Sequence, residues 1–232
     1  AARLSRSTGG LMVGADVAVF DDLRVGALAG YSRSTFDLKG PLASGKSDNY
    51  HLGLYGGGQW GALALRSGAS YTWHAVETSR SVAFANFSDR LRADYNAGTA
   101  QVFGELGYRV DLGRVAFEPF VGRAYVNLHT DGLREVGGAA ALSARGDDTN
   151  VGYATLGLRA ATRLDLNGID LTLRGGLAWR HAFGDVDPAR TLAFAGGSSP
   201  FIVAGLPIAR NAAVVEAGLD LAIGPGVTLG LS

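Results

Sequence analysis

The chain contains no cysteine, so neither a disulfide framework nor a thiolate metal site is open to it. Charge of one sign is missing too: 21 lysines and arginines face 21 aspartates and glutamates, for a formal net charge of zero. That removes the basic footprint of a nucleic-acid-binding domain, and no nucleic-acid partner is expected. No apolar run approaches the ~20 residues of a spanning helix. No segment repeats its apolar residues at the helical period, so no long helix is expected. The first residues lack the charged start and apolar stretch of a secretory leader. These absences leave a soluble β protein, or a piece of a longer chain whose leader lies upstream. Proline is scarce at 6 residues of 232, whereas glycine reaches 35. Glycine at about twice its usual ~7%, with no collagen period, points to many strands and close backbone approaches.

What is present is alternation. In "TGGLMVGADVAVFDDLRVGALAGY" (8–31), Leu11, Val13, Ala15, Val17 and Val19 alternate with Met12, Gly14, Asp16, Ala18 and Phe20. After Asp21-Asp22 the pattern resumes with Leu23, Val25, Ala27, Ala29 and Tyr31. Period two is the strand signal. It recurs over 8–20, 22–37, 48–60, 62–78, 94–110, 114–129, 150–165, 169–184, 210–223 and 226–232, which makes ten strands. Their connections sort into two kinds that alternate along the chain. Asp21-Asp22, Trp60-Gly61, Asp111-Leu112-Gly113, Asn167-Gly168 and Gly224-Pro225-Gly226 are tight; 38–47, 79–93, 130–149 and 185–209 are long and polar. An outer-membrane barrel sorts its loops this way, with short turns at one end and long loops at the other.

The two faces differ in kind. Leu63, Leu65, Ala69, Tyr71 and Trp73 oppose Arg66, Gly68, Ser70, Thr72 and His74, and the other strands repeat the arrangement. A half-buried soluble sheet also alternates. Here, however, most strands run well beyond the usual 5–6 residues. Their polar faces mix glycine with charges of both signs, and Trp60, Tyr71, Trp73, Tyr108, Tyr125 and Trp179 fall near strand ends, as interfacial girdles require. The expectation is an all-β, antiparallel transmembrane barrel. Its apolar face, with Val13, Leu52, Leu65, Val102, Leu158, Leu173 and Leu219, would meet outer-membrane lipid. The expected pore-lining residues are Asp16, Arg24, Arg66, Glu105, Arg109, Glu118, Arg159, Arg174, Arg180, Glu216 and Asp220. Arg123 strains the pattern, because it shares the parity of Val121 and Tyr125. A lipid-facing arginine costs ~2–4 kcal/mol at mid-bilayer and little at the interface, so Arg123 should lie near the rim or at a bulge.

The segments "SRSTGGLMVGADV" (5–17), "RVGALAGYSRSTFD" (24–37), "YHLGLYGGGQWGALALRSGASYTWH" (50–74), "FEPFVGRAYV" (117–126), "LGLRAA" (156–161), "GLAWRHAFGD" (176–185) and "EAGLDLAIGPGVTLGLS" (216–232) resemble the C-terminal translocator barrel of the classical autotransporters, type V secretion. The resemblance runs through essentially the whole chain. It implies a 12-stranded barrel in the bacterial cell outer membrane, about ten of whose strands lie here, with the first and last expected outside the chain. It also implies an N-terminal passenger joined to a helix in the lumen, and the barrel assembly machinery as a partner. An outer-membrane diffusion porin is the alternative, which an upstream passenger and lumen helix would rule out.

Nothing in the sequence calls for an enzyme or a cofactor. His51, His74, His129 and His181 are the only histidines, and none stands in a nucleophile-elbow or metal-ligand spacing. "GGG" at 56–58 lies mid-strand with no helix behind it, unlike a phosphate-binding loop. Some relatives cleave their linker with an asparagine and barrel acids. Without a linker to read, no such role is assigned to Asp16, Glu105 or Glu118.

Overall fold

The computed structural model describes residues 3–39, 43–166, 169–224 and 227–231. They form strands and connections, with no helix among the described residues. In chain order the strands are β1 (Arg3–Phe20), β2 (Leu23–Lys39), β3 (Ala43–Trp60), β4 (Leu63–Phe84), β5 (Phe87–Tyr108), β6 (Val110–Leu112), β7 (Val115–Thr130), β8 (Leu133–Arg134) and β9 (Leu142–Ala144). There follow β10 (Asp147–Leu166), β11 (Ile169–Gly184), β12 (Ala189–Phe194), β13 (Phe201–Ala204), β14 (Asn211–Gly224) and β15 (Val227–Leu231).

The long strands make one curled wall in the order β1-β2-β3-β4-β5-β7-β10-β11-β14-β15, with β6 extending β5 along β7. Each strand lies beside its neighbour in sequence and pairs antiparallel, the arrangement that tight turns permit. Gly61 and Gly113 supply the left-handed backbone two of these turns need, at φ +60° and +63°. Among the described residues β1 pairs only with β2, and β15 only with β14.

Register decides which side chains meet. Asp16 pairs with Gly26, and Gly26 with Tyr55. Arg66 stands between Gly57 and Glu105. Glu118 pairs with Arg159, Arg159 with Gly176, and Gly176 with Glu216. Paired residues share a face, and side chains alternate, so one face collects the charges. The other face keeps Val13, Leu52, Leu65, Val102, Leu158, Leu173 and Leu219, all exposed.

Glycine has a specific task on the charged face. Tyr55 lies over Gly26 and Phe103 over Gly68, while Phe120 lies over Gly157, where an added Cβ would come within 2.5 Å of the ring. Cross-strand glycines thus seat flat aromatic rings where any larger residue would collide with them.

Several expectations need correction. The segments 38–47 and 79–93, read as long loops, are largely strand: β2 and β3 pair as far as Leu38 and Ala43, and β4 and β5 as far as Phe84 and Phe87. These hairpins continue past the apolar band, where no lipid lies against the outward face and alternation is no longer required of them. Long and tight connections therefore do not alternate without exception. The strand read at 94–110 is interrupted at Arg109. Its ladder to β7 stops at Gly107–Phe120 and resumes at Val110–Phe117. Pro119 lies in that gap and has no N–H to give, while on the β4 side the Arg109 N–H donates to the Ala62 carbonyl at 2.6 Å. The connections 130–149 and 185–209 are not plain loops either, since they form a second, 4-stranded sheet in the order β13-β12-β9-β8. The turn at Asn167-Gly168 lies outside the described residues, as does most of the one at Gly224-Pro225-Gly226.

Candidate functional site

The expected pore-lining residues all stand on the charged face, and most of them touch one another. Arg66 donates to Glu105 at 3.0 Å and to both oxygens of Glu118 at 2.7 and 3.1 Å. Arg159 reaches the same two acids, donating to Glu105 at 2.6 and 2.8 Å and to Glu118 at 3.3 Å. Its Nε also lies 3.8 Å from Glu216. This cluster draws on β4, β5, β7, β10 and β14. It spans β11 because Gly176 presents no side chain between Arg159 and Glu216. The two glutamates are the covered members, with side chains 17% exposed against 45% for Arg66. A half-covered carboxylate needs strong donors, and two arginine forks provide them.

Two smaller pairs flank the cluster. Arg174 donates to Asp220 at 2.8 Å, and Arg24 pairs with Asp16, whose other oxygen takes the Tyr55 hydroxyl at 3.5 Å. The remaining members stand apart: Arg109 bonds Asp111 at 3.0 Å, and the Arg180 guanidinium lies over the Tyr153 ring at 5.9 Å.

Sequence reasoning put Thr72 and His74 on this face but left the neutral residues out of the expected lining set and did not pair them. Toward the end with the longer connections, Ser32 and Thr72 hold His51 between them, each at 2.9 Å. Asn49 and Thr99 hold His74 at 2.7 and 2.8 Å. These residues share the parity of the charges, which is the signal that identifies them. Phe120, which carries the Arg159 guanidinium at 3.8 Å from its ring centre, was missed for want of a readable register.

On the apolar face the aromatics form two bands. Tyr50 and Trp60 both lie on β3, and ten residues at ~3.3 Å each, tilted by about 40°, separate them by roughly 25 Å of height. Tyr31, Trp73, Tyr125 and Trp179 accompany Tyr50, while Tyr108 lies with Trp60. Several polar tips find partners: the Tyr125 hydroxyl donates to Asn150 at 2.6 Å, and the Trp179 indole to Asn211 at 3.2 Å. Arg123 keeps its register opposite Gly104 and Ala154 without a bulge. It lies two residues from Tyr125, close enough for its long stem to carry the charge to the band.

Long antiparallel strands, one face apolar between aromatic bands and the other charged and ion-paired, define the wall of a transmembrane β-barrel of the Gram-negative outer membrane. The Autotransporter beta-domain family model matches residues 1–232, and the chain belongs to that family. It is 41% identical over 225 residues to an extracellular serine protease of Serratia marcescens, covering 97% of this chain and 21% of the relative. A second protein of the same description is 41% identical over 226 residues, with the same coverage. The chain thus spans about a fifth of these curated relatives. Among solved structures it is similar to the translocator domain of the autotransporter NalP from Neisseria meningitidis, with a TM-score of 0.73, 19% identity, and coverage of 97% of this chain and 72% of that one. It is also similar to the β domain of the Bordetella autotransporter BrkA, with a TM-score of 0.64, 21% identity, and coverage of 95% and 80%.

Proposed function

We propose that this domain anchors its parent protein in the outer membrane and surrounds the route by which an N-terminal passenger reaches the cell surface. The carrying observation is the sidedness of the wall. The apolar face suits contact with lipid, while the opposite face holds its charges in mutual pairs. We infer that this face lines the lumen. A lining of paired charges, neutral hydrogen-bonding groups and flat rings over glycine leaves room for an extended chain or a lumen helix. Most of its charges are neutralised by a partner and so present little to trap that chain. The word "extracellular" in the name of the Serratia relatives fits a parent of this kind. The domain itself is proposed to carry out no catalysis. Strands flanking β1 and β15 would complete a 12-stranded ring, and the barrel assembly machinery would insert it.

The test uses the full-length parent in a Gram-negative host, intact or lacking these residues. The intact parent is expected to expose its passenger to protease added outside the cells, and the truncated one to keep it inside. A passenger exposed equally in both cells overturns the proposal. Uptake of small solutes with no surface passenger would favour the porin.

A further inference from the structure

Beyond the outer aromatic band the inward face is covered. Leu91 pairs with Arg80 on the face that bears Arg66 and Glu105 farther down, yet Leu91 is wholly buried, at 0% exposure. Its cover is the connection between β7 and β10. Arg80 grips Glu135 of that connection with two bonds, at 2.7 and 2.6 Å, and also donates to the Ala140 carbonyl at 2.7 Å. Asp89, on the same face, accepts the Ala140 N–H at 2.8 Å. The connection between β11 and β14 does the same farther round, where Val186 packs against Val151 and Ala182 with Ile208 beside it. The two connections are joined to each other, because β12 pairs with β9.

An outer-membrane barrel satisfies its backbone by closure alone and needs no apolar core beyond the bilayer. Here the largest fully buried side chains of the described residues, Leu91 and Val186, are spent on holding two connections against the inward face. At the neck of the first, Gly132 and Gly146 face each other, with a Cβ at Gly132 only 3.5 Å from the Gly146 nitrogen, and Arg190 of the second connection ties the two together by donating to the Asp131 and Arg145 carbonyls at 3.1 and 3.5 Å.

We propose that the two joined connections form a lid over the outer mouth of the barrel, closed at rest and latched by Arg80 and Glu135. Closure would limit exchange between the lumen and the outside when nothing is in transit. The proposal goes beyond passenger export, and its test does not depend on it.

A cysteine at Ala124, on the inward face of β7 below the lid, reports access from outside. The chain contains no cysteine of its own, and any elsewhere in the full-length parent is replaced by serine. Intact cells are treated with a membrane-impermeant maleimide. Labelling is expected to be slow with the latch in place and at least tenfold faster with Arg80→Ala. Adding Asp89→Cys with Gly138→Cys should then restore slow labelling until a reductant is supplied. A Cβ at Gly138 would fall against the Asp89 carboxyl group, within the span of a disulfide. Glu135→Gln is the second unlatching variant should Arg80→Ala yield no heat-modifiable barrel. Fast labelling in the latched protein overturns the lid, as does one rate shared by the latched, unlatched and cross-linked barrels.

Discussion

Between the aromatic bands, the two ends of the inward face are held by different chemistry. Toward the tight turns it is ionic, with Asp16–Arg24, Arg174–Asp220 and the cluster of Arg66, Glu105, Glu118 and Arg159. Toward the longer connections of β2–β5 it is neutral, with His51 and His74 held by hydroxyl and amide groups. Between these lies a layer of rings on glycines, Tyr55 on Gly26, Phe103 on Gly68 and Phe120 on Gly157. The contrast teaches that pairing, not polarity, governs this surface. Most of the charges are matched across strands, and the neutral groups satisfy one another. Both solutions spare the wall an unmet polar group facing a narrow interior.

Substitutions in the three layers should cost different amounts. The greatest loss is expected in the middle one. Gly157→Val would drive a side chain into Phe120 and the Ala178 methyl, which would lie 2.5 and 2.7 Å from its Cβ. Overpacking of that kind costs about 3 kcal/mol. The heat-modifiable band should weaken or vanish on gels, and a normal band would refute the role given to the rings.

Next comes the ionic end. Glu118→Gln removes one of the two acids that Arg66 and Arg159 share, at roughly 2 kcal/mol for bonds to charged groups. Denaturant midpoints in detergent should fall, and the deficit should shrink in high salt as screening weakens the intact network. A deficit that salt leaves unchanged would mean that shape, not charge, holds the cluster.

Smallest is the neutral end. His74→Ala loses bonds to Asn49 and Thr99, at about 1 kcal/mol, with no dependence on salt. If it costs more than Glu118→Gln, the ranking of the two ends is reversed.

How much of this was legible in the sequence follows the same division. Between the bands every strand must turn an apolar face outward, so period two appears and both strand and sidedness can be read. Asp16, Arg66, Glu105 and Arg159 were recognisable by parity alone. Beyond the bands that requirement ends. Residues 79–93 therefore looked like a loop although they are the tip of a hairpin, and the short strands around Leu142 and Phe201 left no period to detect. Which ring meets which glycine, and that Arg66 and Arg159 share Glu105 and Glu118, depend on register. Register joins residues far apart in the chain, and alternation within one strand does not encode it.

The central claim is the sidedness of the wall, and its most direct test is a residue-by-residue scan of β4 in lipid bilayers. Single cysteines from Leu65 to Trp73 carry a spin label, and each is probed with dissolved oxygen, which concentrates in lipid, and with a water-soluble nickel chelate. Positions 65, 69, 71 and 73 should respond to oxygen and little to the chelate, and positions 66, 68, 70 and 72 the reverse. Equal access of the chelate to both sets would contradict a membrane wall.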